Sequence, residues 1–308
     1  MMRKILKWIG IILGSLVGLV VLAAVVLYIA GGVMWNQTYE NYDVSVETVT
    51  IPTGEAAITR GQHVATIHYC AFCHGEKLAG KVLLNEPALA VAYAPNLTPG
   101  AGGVGATNTD EDWVRAIRHG VGQDGRGLVA MPASIWYYLS DADLGALIAY
   151  LKSLPPVDNE LPERRIGPLG SLMVALGQFP PSGAAVIDHD APRPAAPDAG
   201  VTVAYGEYLA RSTCSACHGI NLNGGTVRGL DGELEIALNL TPGGELAGWS
   251  EAEFMTALRS GVTPSGRVLS ETMPWRYVGQ MTDEELRAVW LYLQSLPALE
   301  QSLERTDR

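Results

Sequence analysis

Two pentads, Cys70-Ala-Phe-Cys73-His74 and Cys214-Ser-Ala-Cys217-His218, contain all four cysteines of the chain. This spacing suits two thiols that add across the vinyl groups of one haem while the adjacent imidazole ligates the iron from the same side. A redox disulfide of the thioredoxin kind would need alternating strands and helices around it, and a zinc site would need more Cys or His nearby. The sequence supplies neither, and chance does not explain two copies in matching surroundings. Two covalently bound c-type haems are therefore the expected cofactors.

The surroundings of the pentads repeat in order. Asn96-Leu-Thr-Pro99 returns as Asn239-Leu-Thr-Pro242, Arg118-His-Gly-Val121 as Arg259-Ser-Gly-Val262, and Asp124-Gly-Arg126 as Ser265-Gly-Arg267. Met131-Pro132 matches Met273-Pro274, and Tyr150-Leu-Lys-Ser-Leu-Pro155 matches Tyr292-Leu-Gln-Ser-Leu-Pro297. A lone Met is ordinarily core filler, but equivalent positions 57 and 55 residues after His74 and His218 make Met131 and Met273 the expected sixth ligands. Metal ligands are thus His74, Met131, His218 and Met273. Met281 is a possible competitor for Met273, although it aligns with Leu139. A thioether opposite the imidazole closes the iron to substrate and raises its potential relative to two imidazoles.

Arg126 and Arg267 precede the methionines and could pair with haem propionates, or could be solvated loop residues. His63 and His68 could in principle replace a Met, but they have no counterparts in the second unit. His119 at a helix end reads as a surface residue, favoured there by the helix dipole, and His189 is uninformative by itself. Asn96, Thr98, Asn239 and Thr241 are explained by turn chemistry, or they line the crevice.

The elements that position these groups follow from caps and periodicity. Thr109 or Asp110 starts a helix that buries Trp113, Ala116 and Ile117 and stops at Gly120; Ser250 with Glu253 forms a capping box for the equivalent helix. Ser140 caps a helix through Leu144, Leu147, Ile148 and Leu151, and Thr282 with Glu285 caps one through Leu286, Val289, Trp290 and Leu293. With no sustained strand alternation, the fold class reads as all-α: an N-terminal transmembrane helix, then two tandem domains. The expected boundaries are 1–34 for the anchor, 35–55 for a stalk, 56–157 and 201–299 for the domains, and 300–308 for a tail. Residues 158–200 form a Pro/Ala-rich linker, with one helical piece at Leu169 to Leu176 that straps the domains or touches a partner or the membrane.

No charged residue lies between Lys7 and Glu40, and the apolar run from Trp8 to Val33 exceeds the roughly 20 residues that cross a bilayer. Secretory signals have apolar regions of about 7 to 15 residues, so an uncleaved single-pass anchor in the inner membrane is expected. Gly10, Gly14 and Gly18 share one face of it, which permits close helix packing within a larger assembly. Arg3, Lys4 and Lys7 place its N-terminus in the cytoplasm and the haem domains in the periplasm. The formal charge is -11; removing those three residues leaves 18 basic against 32 acidic groups, or -14, which excludes nucleic acid as a partner and suits a basic docking surface.

On the pentads, the Met-Pro pairs and the final Y-L-x-S-L-P helices, each unit resembles a class I cytochrome c domain. The N-L-T-P, R-x-G-V, G-R and M-P series is most similar to the cytochrome c subunits of membrane-bound alcohol and gluconate dehydrogenases. Those usually carry three haem domains and a C-terminal anchor, where this chain has two and an N-terminal helix. The dihaem subunit of some haem-copper oxidases shares the layout. The resemblance implies an electron carrier, not an enzyme: a relay of single electrons between a redox donor and acceptor in a respiratory or photosynthetic complex. The rival is a peroxidase-like or thiosulfate-oxidising dihaem enzyme with one open iron.

Overall fold

The computed structural model describes residues 2–39, 42–129, 131–178, 182–193, 195–228 and 233–306. The apolar N-terminal run forms one helix, α1 (Met2–Tyr39). The first unit holds α2 (Glu55–Ile67), α3 (Cys70–His74), β1 (Lys81–Glu86), β2 (Ala90–Ala94), α4 (Asp110–His119), α5 (Ala133–Trp136) and α6 (Asp141–Lys152). The linker contributes β3 (Arg165–Ile166), α7 (Pro168–Ala175) and α8 (Gly183–Val186). The second unit repeats the plan as α9 (Val203–Thr213), α10 (Ser215–His218), β4 (Gly225–Arg228), β5 (Leu234–Ala237), α11 (Glu251–Ser260), α12 (Trp275–Val278) and α13 (Asp283–Ser295).

The helix ends lie where their chemistry puts them. Thr109, Ser250 and Thr282 accept from the backbone N–H three residues on, and Asp112, Glu253 and Glu285 reach back to complete capping boxes. Gly120 and Gly261 end α4 and α11 in the left-handed conformation. In each unit the helix before the pentad crosses the last helix at a glycine. A Cβ on Gly61 would lie 1.9 Å from the Ala146 carbonyl oxygen, and one on Gly206 1.9 Å from that of Ala288. This close approach brings α2 onto α6 and α9 onto α13, around cores that include Val64, Trp113, Leu144 and Ile148, and Leu209, Phe254, Leu286 and Leu293.

The structure departs from the all-α reading. β1, β2 and β3 form a three-stranded antiparallel sheet, and β4 pairs with β5. The pattern hid them because only Leu84 of β1 is even half-buried, β2 is buried or half-buried on both faces, and β5 turns Leu234 and Ile236 outward, so no apolar face alternates with a polar one. The β1 and β2 hairpin borders the first cavity, and none of these strands belongs to a core cluster. The segment read as a stalk lies, from residue 42 on, against the first unit: Val49 is buried in its core, and Glu47 pairs with the fully buried Arg118 and with His119.

His119 is a correction. It is fully buried, not at the surface, with Nε2 3.0 Å from Glu47 and Nδ1 2.9 Å from Nδ1 of His189. One proton must be shared between the two rings for that contact to be a hydrogen bond. Burial pushes the Glu47 carboxyl up, but hydrogen bonds from His119 and Arg118 outweigh it and hold the group at about 2. No local signal marks this cluster, because its partners come from three separate segments.

The units meet along α2 and α5 of the first and α9 and α12 of the second. His68 and Ser212, 144 positions apart like the pentads, share a 3.1 Å hydrogen bond. Tyr208 donates to Asp143 at 2.7 Å, and His63 lies 2.8 Å from Glu285. Arg60 bridges Asp143 at 2.8 Å and Glu285 at 3.6 Å. For Glu285 burial raises the pKa, but the bonds from His63 and the Thr282 backbone and the Arg60 charge lower it further, from 4.5 to about 2.

Two outcomes follow for stability. Gly61→Val forces α2 from α6 and should cost about 3 kcal/mol in urea unfolding, with Gly206→Val acting likewise on the second unit. A carboxyl depressed on folding stabilises fully above its unfolded value and ceases to do so as pH falls through its folded one. Glu285 should therefore contribute on the order of 3 kcal/mol above pH 4.5, declining toward pH 2. Glu285→Gln should flatten the acid limb of the unfolding free energy; an unchanged limb would refute the assignment.

Candidate haem sites

The first pentad forms the single turn α3, entered through Tyr69 in the left-handed region at φ 48°. His74 donates from Nδ1 to the Pro95 carbonyl at 2.8 Å, which fixes the ring and leaves Nε2 for a metal. Burial lowers its pKa, so the imidazole is neutral, as a ligand must be. No disulfide joins Cys70 and Cys73. Burial and then the neighbouring Cys73 push the Cys70 thiol up to about 12, and burial also raises Cys73. Both sulfurs are thus held as thiols at the wall of a cavity of about 350 Å³, whose lining also includes His74, Met131, Trp113 and Trp136.

Haem fits this cavity on an observation independent of the pentad. Among the described residues no acceptor meets the buried indole N–H groups of Trp113 and Trp136 there, a costly arrangement unless a polar ligand group reaches them, and haem propionates are acceptors. His68 also lines the cavity, but its Nδ1 bonds Val64 and its Nε2 bonds Ser212, so neither nitrogen is spare for iron. His63 is likewise engaged with Glu285.

The second pentad repeats the donor set. His218 donates from Nδ1 to the Leu238 carbonyl at 2.7 Å, and burial lowers its pKa too. Its ring lines a narrower cleft of about 60 Å³ with Met273, Arg267, Trp249 and Phe254. A macrocycle would have to widen it. Arg267 pairs with Glu245 at 2.7 Å beside this cleft. Met281 does not reach it: the side chain is 1% exposed and packs in the second core.

The two arginines separate in the structure. Arg126 is exposed, 3.8 Å from Asp124, and does not line the first cavity. Arg164 does. Reading by repeats missed it because it belongs to the linker and has no counterpart in the second unit. Asn96 and Asn239 are turn residues with a second task. Each side-chain oxygen accepts from the N–H and hydroxyl of Thr98 or Thr241, and each Nδ2 donates to the chain beyond the last helix, at Val157 or Leu299.

Comparison with known proteins agrees with this geometry. A family profile described as cytochrome C oxidase, cbb3-type, subunit III matches residues 56–151 and 201–293. The cytochrome c subunit of alcohol dehydrogenase (quinone) from Gluconobacter oxydans is 30% identical over 283 residues, 80% of this chain and 56% of that one. The fructose dehydrogenase cytochrome subunit of Gluconobacter japonicus is 28% identical over 287 residues, 82% and 56% respectively. The chain therefore spans about half the length of these relatives. Reduced cytochrome c4 from Pseudomonas stutzeri aligns over 80% of this chain and 100% of its own at 18% identity and a TM-score of 0.20.

The ligand assignment is testable by substitution. Met131→Leu and Met273→Leu should each open one iron to carbon monoxide and lower its potential, the direction expected when a thioether is lost. Met281→Leu should leave both visible spectra unchanged.

Proposed function

The chain belongs to the cytochrome c family of that profile, and on this premise we propose that it is a membrane-anchored dihaem carrier. It relays single electrons between redox partners on the periplasmic face of the inner membrane. The residues bound to the two haems are Cys70, Cys73, His74 and Met131, and Cys214, Cys217, His218 and Met273. Each bound haem supplies a one-electron Fe(III)/Fe(II) couple. The protein orients the imidazole through a backbone carbonyl, keeps the ring neutral, and surrounds the site with apolar side chains that exclude water.

The observation that carries the relay is the packing of the first pentad and its neighbour Tyr69 against the second unit at the domain interface. Phe72, inside the first pentad, packs its ring 6.3 Å from Tyr277, which follows the Met273-Pro274 pair. Tyr69 packs against both cores. Burial raises its hydroxyl well above the ordinary range, and the sulfurs of Cys217, Cys214, Cys73 and Cys70 all lie close to this one ring. Such adjacency suits transfer within the molecule, where two separate carriers would serve without any contact.

The described residues include one helix able to cross a membrane, at the N-terminus, and the basic residues precede it. That supports a cytoplasmic N-terminus and periplasmic haem domains. The relatives named for alcohol and fructose dehydrogenases support a dehydrogenase subunit as electron donor. The acidic exterior suits a basic acceptor surface.

Haem quantitation by alkaline pyridine should give two covalent haems per chain, one for each pentad. Carbon monoxide or peroxide added to the reduced wild type should bind neither iron stoichiometrically; rapid binding at one would make the chain an enzyme instead.

A further inference from the structure

The linker helix α7 is two-faced, and neither face resembles that of a water-exposed helix. Gly170, Ser171 and Val174 are buried, while Leu169, Leu172, Met173 and Leu176 lie on the opposite side, Leu169 and Leu176 being 55% exposed. No charged residue occurs from Ile166 through Ile187. Four large apolar side chains on one outward stripe leave α7 without the polar face that a solvated surface helix carries.

What α7 packs against identifies the missing partner. Its small-residue face meets the end of α1: a Cβ on Gly31 would fall 1.7 Å from the Ser171 carbonyl oxygen. Around this crossing Leu27, Ala30, Gly32 and Trp35 of α1 are half-buried, while the helix before them is exposed. The apolar run Trp8 to Val33 has 26 residues, about 39 Å of helix against a hydrocarbon core of about 30 Å. The crossing therefore falls at the outer boundary of the bilayer, where the surface of α1 continues into the exposed face of α7.

The other end of α7 is fastened to the first haem domain. The Gly167 N–H donates to the Leu89 carbonyl and the Leu169 N–H to that of Ala88, each at 2.8 Å. The preceding β3 pairs with β2, and the hairpin of β1 and β2 supplies Leu83 and Tyr93 to the first cavity.

We propose that α7 lies in the outer lipid interface beside the end of α1, its Leu169 and Leu176 face in the bilayer, and clamps the first haem domain directly onto the membrane. The proposal rests on α1 being the anchor. The occupant of the face is lipid, as for other interfacial apolar helices.

The full-length haem-loaded protein, reconstituted in nanodiscs of phosphatidylcholine and phosphatidylglycerol with a trace of phospholipid carrying a carbene precursor near its glycerol, tests both layers. After photolysis and peptide mapping, label should appear on α1, on residues 168–176, and not on the peptide holding Ile220, which is 67% exposed in the second domain. Gly31→Leu should lose the α7 label and keep that of α1. Label on α1 with none on α7 overturns the clamp alone, as does an α7 label no stronger than that of Ile220. No label on α1 overturns the anchor and the clamp with it.

Discussion

Each site depends on one hydrogen bond, from Nδ1 of the pentad histidine to the carbonyl just before an Asn-Leu-Thr-Pro turn. A ligating imidazole free to rotate would present Nε2 in no fixed direction; the carbonyl fixes both tautomer and plane. The carbonyl is itself held. Asn96 and Asn239 close the turn through Thr98 and Thr241 and tie it to the chain leaving the last helix. The last helix is then fixed by its crossing with the helix that precedes the pentad, at Gly61 and Gly206. The ligand, turn, last helix and first helix thus form a closed circuit, and the turn sequence recurs in both units because the circuit does.

The two sites are not duplicates. The first has the indoles of Trp113 and Trp136 at the wall of the wider cavity; the second has Phe254 and Trp249 in a narrower cleft. The flanking charge differs too, with Arg164 entering the first cavity from the linker and Arg267 beside the second already paired with Glu245. Hydrogen bonding, charge and burial all tune a haem potential, so two haems bound as proposed would have the means to hold different potentials. The interface keeps the sites together, since Glu285, depressed to about 2 and 5% exposed, is charged across the whole neutral range and anchors His63 and Arg60.

Much of the site was legible because the chain states it twice. The pentads, the methionines ahead of capped helices, and the Thr and Ser caps are local signals, and local signals survive in sequence. The strands were not legible: β1 lies almost wholly in solvent and therefore carries no period-two pattern. The burial of His119 depends on Glu47 and His189, which lie 72 and 70 positions away. Arg164 has no repeat mate to mark it. Gly61 and Gly206 carried no signal of their own, because a glycine in a helix reads as a weakness until the helix that presses on it is known.

The anchor and the interface act in series. With α7 seated at the lipid boundary, α1, the β1 and β2 hairpin and the first cavity form one packed path, because each joint is a backbone contact or hydrogen bond and not a flexible tether. The second domain touches the first through α2, α5, α9 and α12, and so takes its position from it. A chain with two freely linked haem domains would reach partners by diffusion of each. On the proposed seating of α7 the first cavity would lie on the membrane side and the second domain would be left to meet partners from the water, where exposed acidic side chains act over a Debye length of about 8 Å.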